Sequence, residues 1–62
     1  PMDFLEIRFR YPQMNEVMKV IKKFPIQIVE QEVNNDCWHK ITYPHRITAE
    51  VQNAFDKALE MY

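Results

Sequence analysis

Residues 37–43 have the sequence Cys-Trp-His-Lys-Ile-Thr-Tyr, which is typical of a strand whose two sides differ in character. Successive side chains of a β-strand point to opposite faces of its sheet. One side of this strand therefore carries Cys37, His39, Ile41 and Tyr43, and the other carries Trp38, Lys40 and Thr42. We expect the first side to be covered and the second, which includes the only tryptophan of the chain, to be uncovered.

A second strand is predicted directly before this one. The run from Ile26 to Val33 is rich in β-branched residues, and the turn-forming cluster 34–36 (Asn-Asn-Asp) separates the two strands, which favours a hairpin. Ile28 lies on one side of the run, whereas Val29 and Val33 lie on the other. This change of phase predicts either a bulge near Val29 or partial cover of both faces.

The first strand of the sheet is predicted over residues 4–11, where the sequence alternates with a period of two. Leu5, Ile7, Phe9 and Tyr11 form one side, and Phe4, Glu6, Arg8 and Arg10 form the other. A helix is predicted between this strand and the second strand, Ile26 to Val33. We therefore expect strands one and two to run parallel if they share the sheet. The pattern leaves open which strand borders the first.

Two helices are indicated by apolar residues that recur three or four positions apart. The first follows Pro12, ends before Pro25 and has an apolar face composed of Met14, Val17, Met18, Ile21 and Phe24. The second begins at Pro44 or Thr48. Its apolar face contains Ile47, Val51, Ala54, Phe55, Ala58, Leu59 and Tyr62.

These elements predict an α+β two-layer sandwich of order βαββα, with two helices on one face of a three-stranded sheet. Residues 1–62 are expected to form a single small domain, in which Pro1 is an expression-tag remnant ahead of Met2. A chain of this length is only marginally stable. A homodimer is therefore one alternative, in which the uncovered aromatic residues complete the core.

Composition narrows the classes of function. The chain has no glycine, so the glycine-rich loops that cradle phosphates are excluded. The longest apolar runs are two residues, which excludes a transmembrane helix, and no membrane partner is expected. The net charge of −1 predicts no general attraction to nucleic acid. One cysteine excludes an internal disulfide, and we expect a cytoplasmic protein.

The residues suited to chemistry are few. Cys37, His39 and His45 have donor atoms for zinc, but a structural zinc site usually needs four such ligands. Cys37 and His39 could also form a nucleophile and its base, although without glycine a tight oxyanion loop is difficult to build. We interpret them instead as a small buried thiol and a half-exposed imidazole. The sequence thus predicts no catalytic residue, metal or cofactor, and a protein that is not an enzyme.

A chain that begins with proline and runs directly into a strand resembles the amino-terminal-proline tautomerases. The resemblance covers Pro1 and the length of the chain, and it implies that the secondary amine of Pro1 acts as a base. That family usually has a long first helix and glycines in a later hairpin. Here the first helix is short, glycine is absent and the chain ends in a helix.

The preferred hypothesis is a protein-binding domain that acts as an inhibitor, antitoxin or adaptor of a larger protein. Aromatic residues and arginine are enriched at the cores of interfaces, and an edge strand can pair with a partner. The residues predicted to bind the partner are Phe4, Arg8, Arg10, Trp38 and Lys40.

The alternative is a regulator that binds single-stranded nucleic acid. Rings exposed on a sheet can stack on bases while neighbouring basic residues contact phosphates. The same basic and aromatic residues of the sheet would serve this function, together with Tyr11 and Arg46.

Overall fold

The middle strand of the sheet is β3 (Cys37–Pro44), which pairs antiparallel with β1 (Met2–Phe9) on one side and β2 (Gln27–Val33) on the other. The helices α1 (Met14–Lys23) and α2 (Thr48–Glu60) complete the order β-α-β-β-α. This computed structural model describes residues 1–34 and 36–60. The predicted α+β fold is confirmed. β1 and β2 are parallel, as expected, but β3 separates them.

One face of the sheet and the apolar faces of both helices form one hydrophobic core. The predicted covered side of β3 is buried along its whole length, and Ile7 and Phe9 of β1 join it. The helices contribute Val17, Val20, Ile21, Val51, Phe55 and Ala58. Burial alternates along β1, and along β3 as far as Ile41. Thr42, expected on the uncovered side, is also buried, and its hydroxyl donates to the carbonyl of Asp3 at 2.9 Å. Among the described residues, both helices pack on the other face of the sheet.

The first strand ends earlier than the alternation predicts. Tyr11 was expected to continue the apolar side of β1, but it lies in a short 3₁₀ turn, Tyr11–Gln13, and is 65% exposed. The amide of Arg10 donates to Oε1 of Gln13 at 2.8 Å, which closes the turn. The buried Gln13 side chain also donates to the carbonyl of Leu59 at 3.2 Å, so it joins the start of α1 to the end of α2.

A small polar cluster joins the start of β1 to the start of α2. The Asp3 carboxylate accepts a hydrogen bond from the Thr48 hydroxyl, and Nδ1 of His45 lies 2.9 Å from the same carboxylate oxygen. The Thr48 hydroxyl makes the largest contribution to lowering the pKa of Asp3 below its usual value, and His45 makes the next largest.

The second helix, α2, begins at Thr48 after a 3₁₀ turn, His45–Ile47. Tyr62, which was predicted to extend the apolar face of α2, lies outside the described residues.

The second strand contains the irregularity that its phase change predicts. Its register with β3 shifts between Ile28 and Glu30, which makes Val29 the extra residue. Val33 was expected on the side of β2 that faces away from Ile28, and this expectation is wrong. Val33 lies opposite Cys37 and Ile28 lies opposite Ile41, so both belong to the helix-covered face. The bulge restores the phase because one added residue reverses the alternation beyond it.

Candidate functional site

The helix-free face of the sheet is composed of rows of side chains that run across the three strands. Residues directly opposite each other in an antiparallel pair lie on the same face. The rows, each read from β1 through β3 to β2, are Arg8–Trp38–Glu32, Glu6–Lys40–Glu30 and Phe4–Thr42–Gln27. We call these nine residues the open face.

Trp38 occupies the middle strand of this face. It is half-buried, and its neighbours across the strands, Arg8 and Glu32, are both exposed. A large ring held at the centre of a sheet by its neighbours has a defined position, and it excludes water from whatever covers it. Trp38 is therefore the largest apolar side chain of the open face, and it lies on the middle strand in the row next to that of Lys40.

Side chains of opposite charge alternate on the open face beside the Trp38 ring. Nζ of Lys40 lies 5.8 Å from the centre of the Phe4 ring, within the range of a cation–π contact. Nη2 of Arg8 lies 3.4 Å from Oε2 of Glu6. Both of these side chains are largely exposed, so this ion pair contributes less than about 1 kcal/mol and can exchange partners easily.

The structure brings four of the five predicted binding residues together. Phe4, Arg8, Trp38 and Lys40 share the open face, and Phe4 is 60% exposed. Arg10 does not belong to it, because the paired residues of β1 end at Phe9 and the amide of Arg10 bonds to the following turn.

Three carboxylates on this face were not included in the predicted site. Glu6, Glu30 and Glu32 flank Lys40 and Trp38 on the neighbouring strands. The alternation of β1 already placed Glu6 beside Arg8. The position of the other two depends on the strand order and on the bulge, which the sequence pattern leaves open. With them, the open face carries three acidic groups against the two basic groups of Arg8 and Lys40.

The structure places the three candidate zinc ligands in two separate locations. Cys37 and His39 are both buried, and the thiol of Cys37 donates to the carbonyl of Asn34 at 3.3 Å. His45 lies beside Asp3, near the start of α2. Within residues 1–34 and 36–60, no three ligating side chains come close enough to hold a metal ion.

His39 was expected to be half-exposed, but it is buried. Its side chain is only 1% exposed, and its ring packs against Phe9 with 5.0 Å between ring centres. Its Nδ1 atom has no hydrogen-bond partner among the described residues. The pattern placed His39 on the covered side, and the helices that pack on this face complete its cover, since β3 is the middle strand. Burial lowers the pKa of His39 below its usual value because the charged imidazolium loses its hydration.

This lowered pKa predicts that the domain becomes less stable in mild acid. Below pH 6.5, the ordinary value, the unfolded chain binds a proton at His39 that the folded chain does not bind until a lower pH. The free energy of unfolding therefore falls as the pH falls through this interval. Urea denaturation at a series of pH values measures this change in the free energy of unfolding.

The variant His39→Phe provides the comparison, because it keeps a ring against Phe9 and removes the titrating group. We expect a smaller loss of stability between pH 7 and pH 5 in this variant. His45→Asn, which removes the other histidine, is the control and should retain the contribution of His39. An unchanged pH dependence in His39→Phe would contradict the assignment.

Pro1 lies at the far end of β1 from Arg8. The amide of His45 donates to the carbonyl of Pro1 at 3.0 Å, and a shallow groove there is lined by Pro1, Pro44, His45 and Arg46. The tautomerase hypothesis would place its chemistry in this groove. It is separate from the open face, where the predicted binding residues gather.

Comparisons with protein-family models, with curated proteins and with solved structures give no match. Among the described residues, neither helix is both long and apolar enough to cross a membrane.

Proposed function

We propose that this chain is a non-enzymatic, cytoplasmic protein-binding domain that docks a larger protein on its open face, in the role of an inhibitor, antitoxin or adaptor. The observation that supports this proposal is the row Arg8–Trp38–Glu32, which sets a large ring between two opposite charges on a face without helices. Tryptophan and arginine are the residues that most often dominate binding energy at protein interfaces.

The charges of the open face favour a protein over nucleic acid as the partner. Binding to nucleic acid depends mainly on cations that neutralise phosphates. Glu30 and Glu32 are two of the three β2 residues on this face, and Glu6 adds a third carboxylate next to Arg8. A phosphate backbone laid across the sheet would meet more acidic than basic groups.

The arrangement also indicates the chemistry of a matching surface. The partner would place one apolar side chain against Trp38 and another against Phe4, and it would present basic groups towards Glu30 and Glu32. Such electrostatic complementarity determines orientation and selectivity more than affinity.

Comparative affinity capture tests the proposal. The tagged wild-type chain, Trp38→Ala and Tyr11→Ala are each used to capture proteins from the native host, and the captured proteins are identified by mass spectrometry. Tyr11→Ala is the matched control, because Tyr11 is an exposed ring outside the open face. We expect a partner retained by wild type and by Tyr11→Ala and lost by Trp38→Ala. A partner retained equally by all three would contradict the assigned face.

A second experiment tests the nucleic-acid alternative. We expect the wild-type chain to bind a single-stranded oligonucleotide weakly, and we expect the double variant Arg8→Gln/Arg10→Gln to bind it equally weakly. The measurement is fluorescence anisotropy at several salt concentrations. Binding that is strong, decreases with salt and is lost in the double variant would favour a nucleic-acid partner, because salt dependence reports the number of phosphates that are contacted.

A further inference from the structure

β1 is an edge strand whose outer side pairs with no strand in the described part of the chain. An edge strand of eight residues presents a row of free backbone donors and acceptors. Proline, which would prevent further pairing, is absent between Met2 and Phe9. This edge is therefore suited to accept a further strand.

The sheet edge continues into an apolar groove on the helix side. Leu5 and Ile7 of β1 face Phe55 and Leu59 of α2 across this groove, and Gln52 and Asp56 complete its lining. Leu5 and Leu59 are only partly buried, although both pack against the core. A strand added to β1 would place its own helix-side residues at the mouth of this groove.

A second copy of β1 supplies a strand whose charges fit. A two-fold axis perpendicular to the sheet makes β1 antiparallel to its copy and keeps all four helices on one side of a continuous sheet. When the axis passes through Ile7, Glu6 lies opposite Arg8 of the second copy, and Arg8 lies opposite Glu6. On the helix side, Ile7 meets Ile7, and Leu5 meets Phe9.

The neighbouring registers are less favourable. An axis through Glu6 places this glutamate opposite its own copy, and an axis through Arg8 does the same for the arginine. An axis through Leu5 places both charged residues opposite apolar ones, Phe4 and Met2. Like charges directly opposite each other destabilise a strand pair, so the charges select the register centred on Ile7.

The other edge of the sheet lacks this complementarity. A two-fold axis through Glu30 of β2 places Glu30 opposite its own copy. An axis through Gln31 places Glu30 opposite Glu32 twice. Self-pairing of β2 is opposed by like charges in both registers.

We propose that the chain forms a homodimer by antiparallel pairing of β1 with β1 of a second copy, in the register centred on Ile7. The two ion pairs between Arg8 and Glu6, one within each chain, then exchange for two such pairs between the chains. On the open face the dimer engages only the β1 side chains at the edge, chiefly Glu6 and Arg8, so Trp38 and the β2 side of the face stay uncovered. The dimer thus presents two open faces side by side, and it forms independently of the proposed docking.

Reversing the charges of Glu6 and Arg8 tests the proposed register of the β1–β1 pair. Sedimentation equilibrium over a series of concentrations gives the dimer dissociation constant of wild type, Glu6→Arg, Arg8→Glu and the double variant Glu6→Arg/Arg8→Glu. Each single reversal converts two attractive pairs into two repulsive pairs, so we expect dimerisation to weaken about tenfold or more. The double variant restores opposite charges at both positions and should dimerise nearly as well as wild type.

Glu32→Arg is the matched control, since it reverses a charge on the same face at the other edge of the sheet. We expect it to leave the dissociation constant unchanged. Circular dichroism checks that each variant is folded. As an independent measurement, amide hydrogen exchange in the wild-type chain should slow in β1 as the protein concentration rises, whereas exchange in β2 should not.

Four outcomes would overturn the proposal. The first is a wild-type chain that stays monomeric up to about 1 mM, which corresponds to negligible association. The second is a dimer that the single reversals do not weaken, and the third is a double variant that fails to recover. The fourth is a dimer that Glu32→Arg disrupts, because this result would place the contact at β2.

Discussion

Replacing Phe55 by alanine is expected to remove about 3–5 kcal/mol from the free energy of unfolding, which is the usual cost of deleting a buried phenylalanine. Phe55 is 2% exposed and belongs to the core cluster of the helices and sheet. A domain of this length has a total stability of roughly 3–9 kcal/mol. The variant should therefore lose at least a third of the stability of the domain, and urea denaturation followed by circular dichroism measures the loss.

Phe4→Ala is the matched control, because it makes the same change at a phenylalanine that is 60% exposed on the open face. We expect its stability to change by no more than about 0.5 kcal/mol, as at other exposed positions. Both variants are compared at one fixed, low protein concentration, since dimerisation would raise the apparent stability. Equal losses in the two variants would mean that the open face is covered in solution, which would contradict the proposed docking surface.

The second large effect is expected at Trp38. Once a partner is identified, Trp38→Ala should weaken its binding by about 2 kcal/mol or more, which is roughly a 30-fold increase in the dissociation constant. The ring lies on the helix-free face in the row with Arg8 and Glu32, so its removal leaves the main core intact. Isothermal titration calorimetry measures the change in binding, and circular dichroism confirms that the fold is retained.

Tyr11→Ala is again the control and should bind as wild type does. Trp38→Phe keeps an apolar ring at the same position, and we expect it to lose less affinity than Trp38→Ala. If Trp38→Ala is unfolded, Trp38 serves the stability of the sheet and is not the anchor of an interface. Full affinity in a folded Trp38→Ala variant would equally reject it as the anchor.

The face on which each side chain of β1 and β3 lies could be predicted from the sequence. In β3, Trp38 and Lys40 lie on the open side and Ile41 and Tyr43 lie in the core, as the alternation indicated. The alternation is a local property of an extended backbone, in which neighbouring side chains necessarily point to opposite sides. Most of the apolar face of each helix could be predicted for the same reason, because a helical period is also local. The prediction for α1 omitted Val20, which is buried, and included Phe24, which follows the end of the helix.

Local rules failed where a contact distant in the sequence was decisive. Tyr11 continues the alternation of β1, but Gln13 bonds to the amide of Arg10 and also to the carbonyl of Leu59, far along the chain. Val33 was assigned to the wrong face because the bulge at Val29 reverses the phase of β2. The degree to which His39 is buried depends on the elements that pack over it, and the pattern of its own strand does not specify them.

The amino-acid sequence alone therefore determined the order of elements and the uncovered side of β1 and β3, since both follow from periodicity within short segments. The tertiary structure decided that β3 lies in the middle, that Glu30 and Glu32 flank Lys40 and Trp38, and that the outer side of β1 has no partner strand within residues 1–34 and 36–60. Strand order arises from pairing between distant segments, and its free energy is the sum of many packing contacts across the whole core.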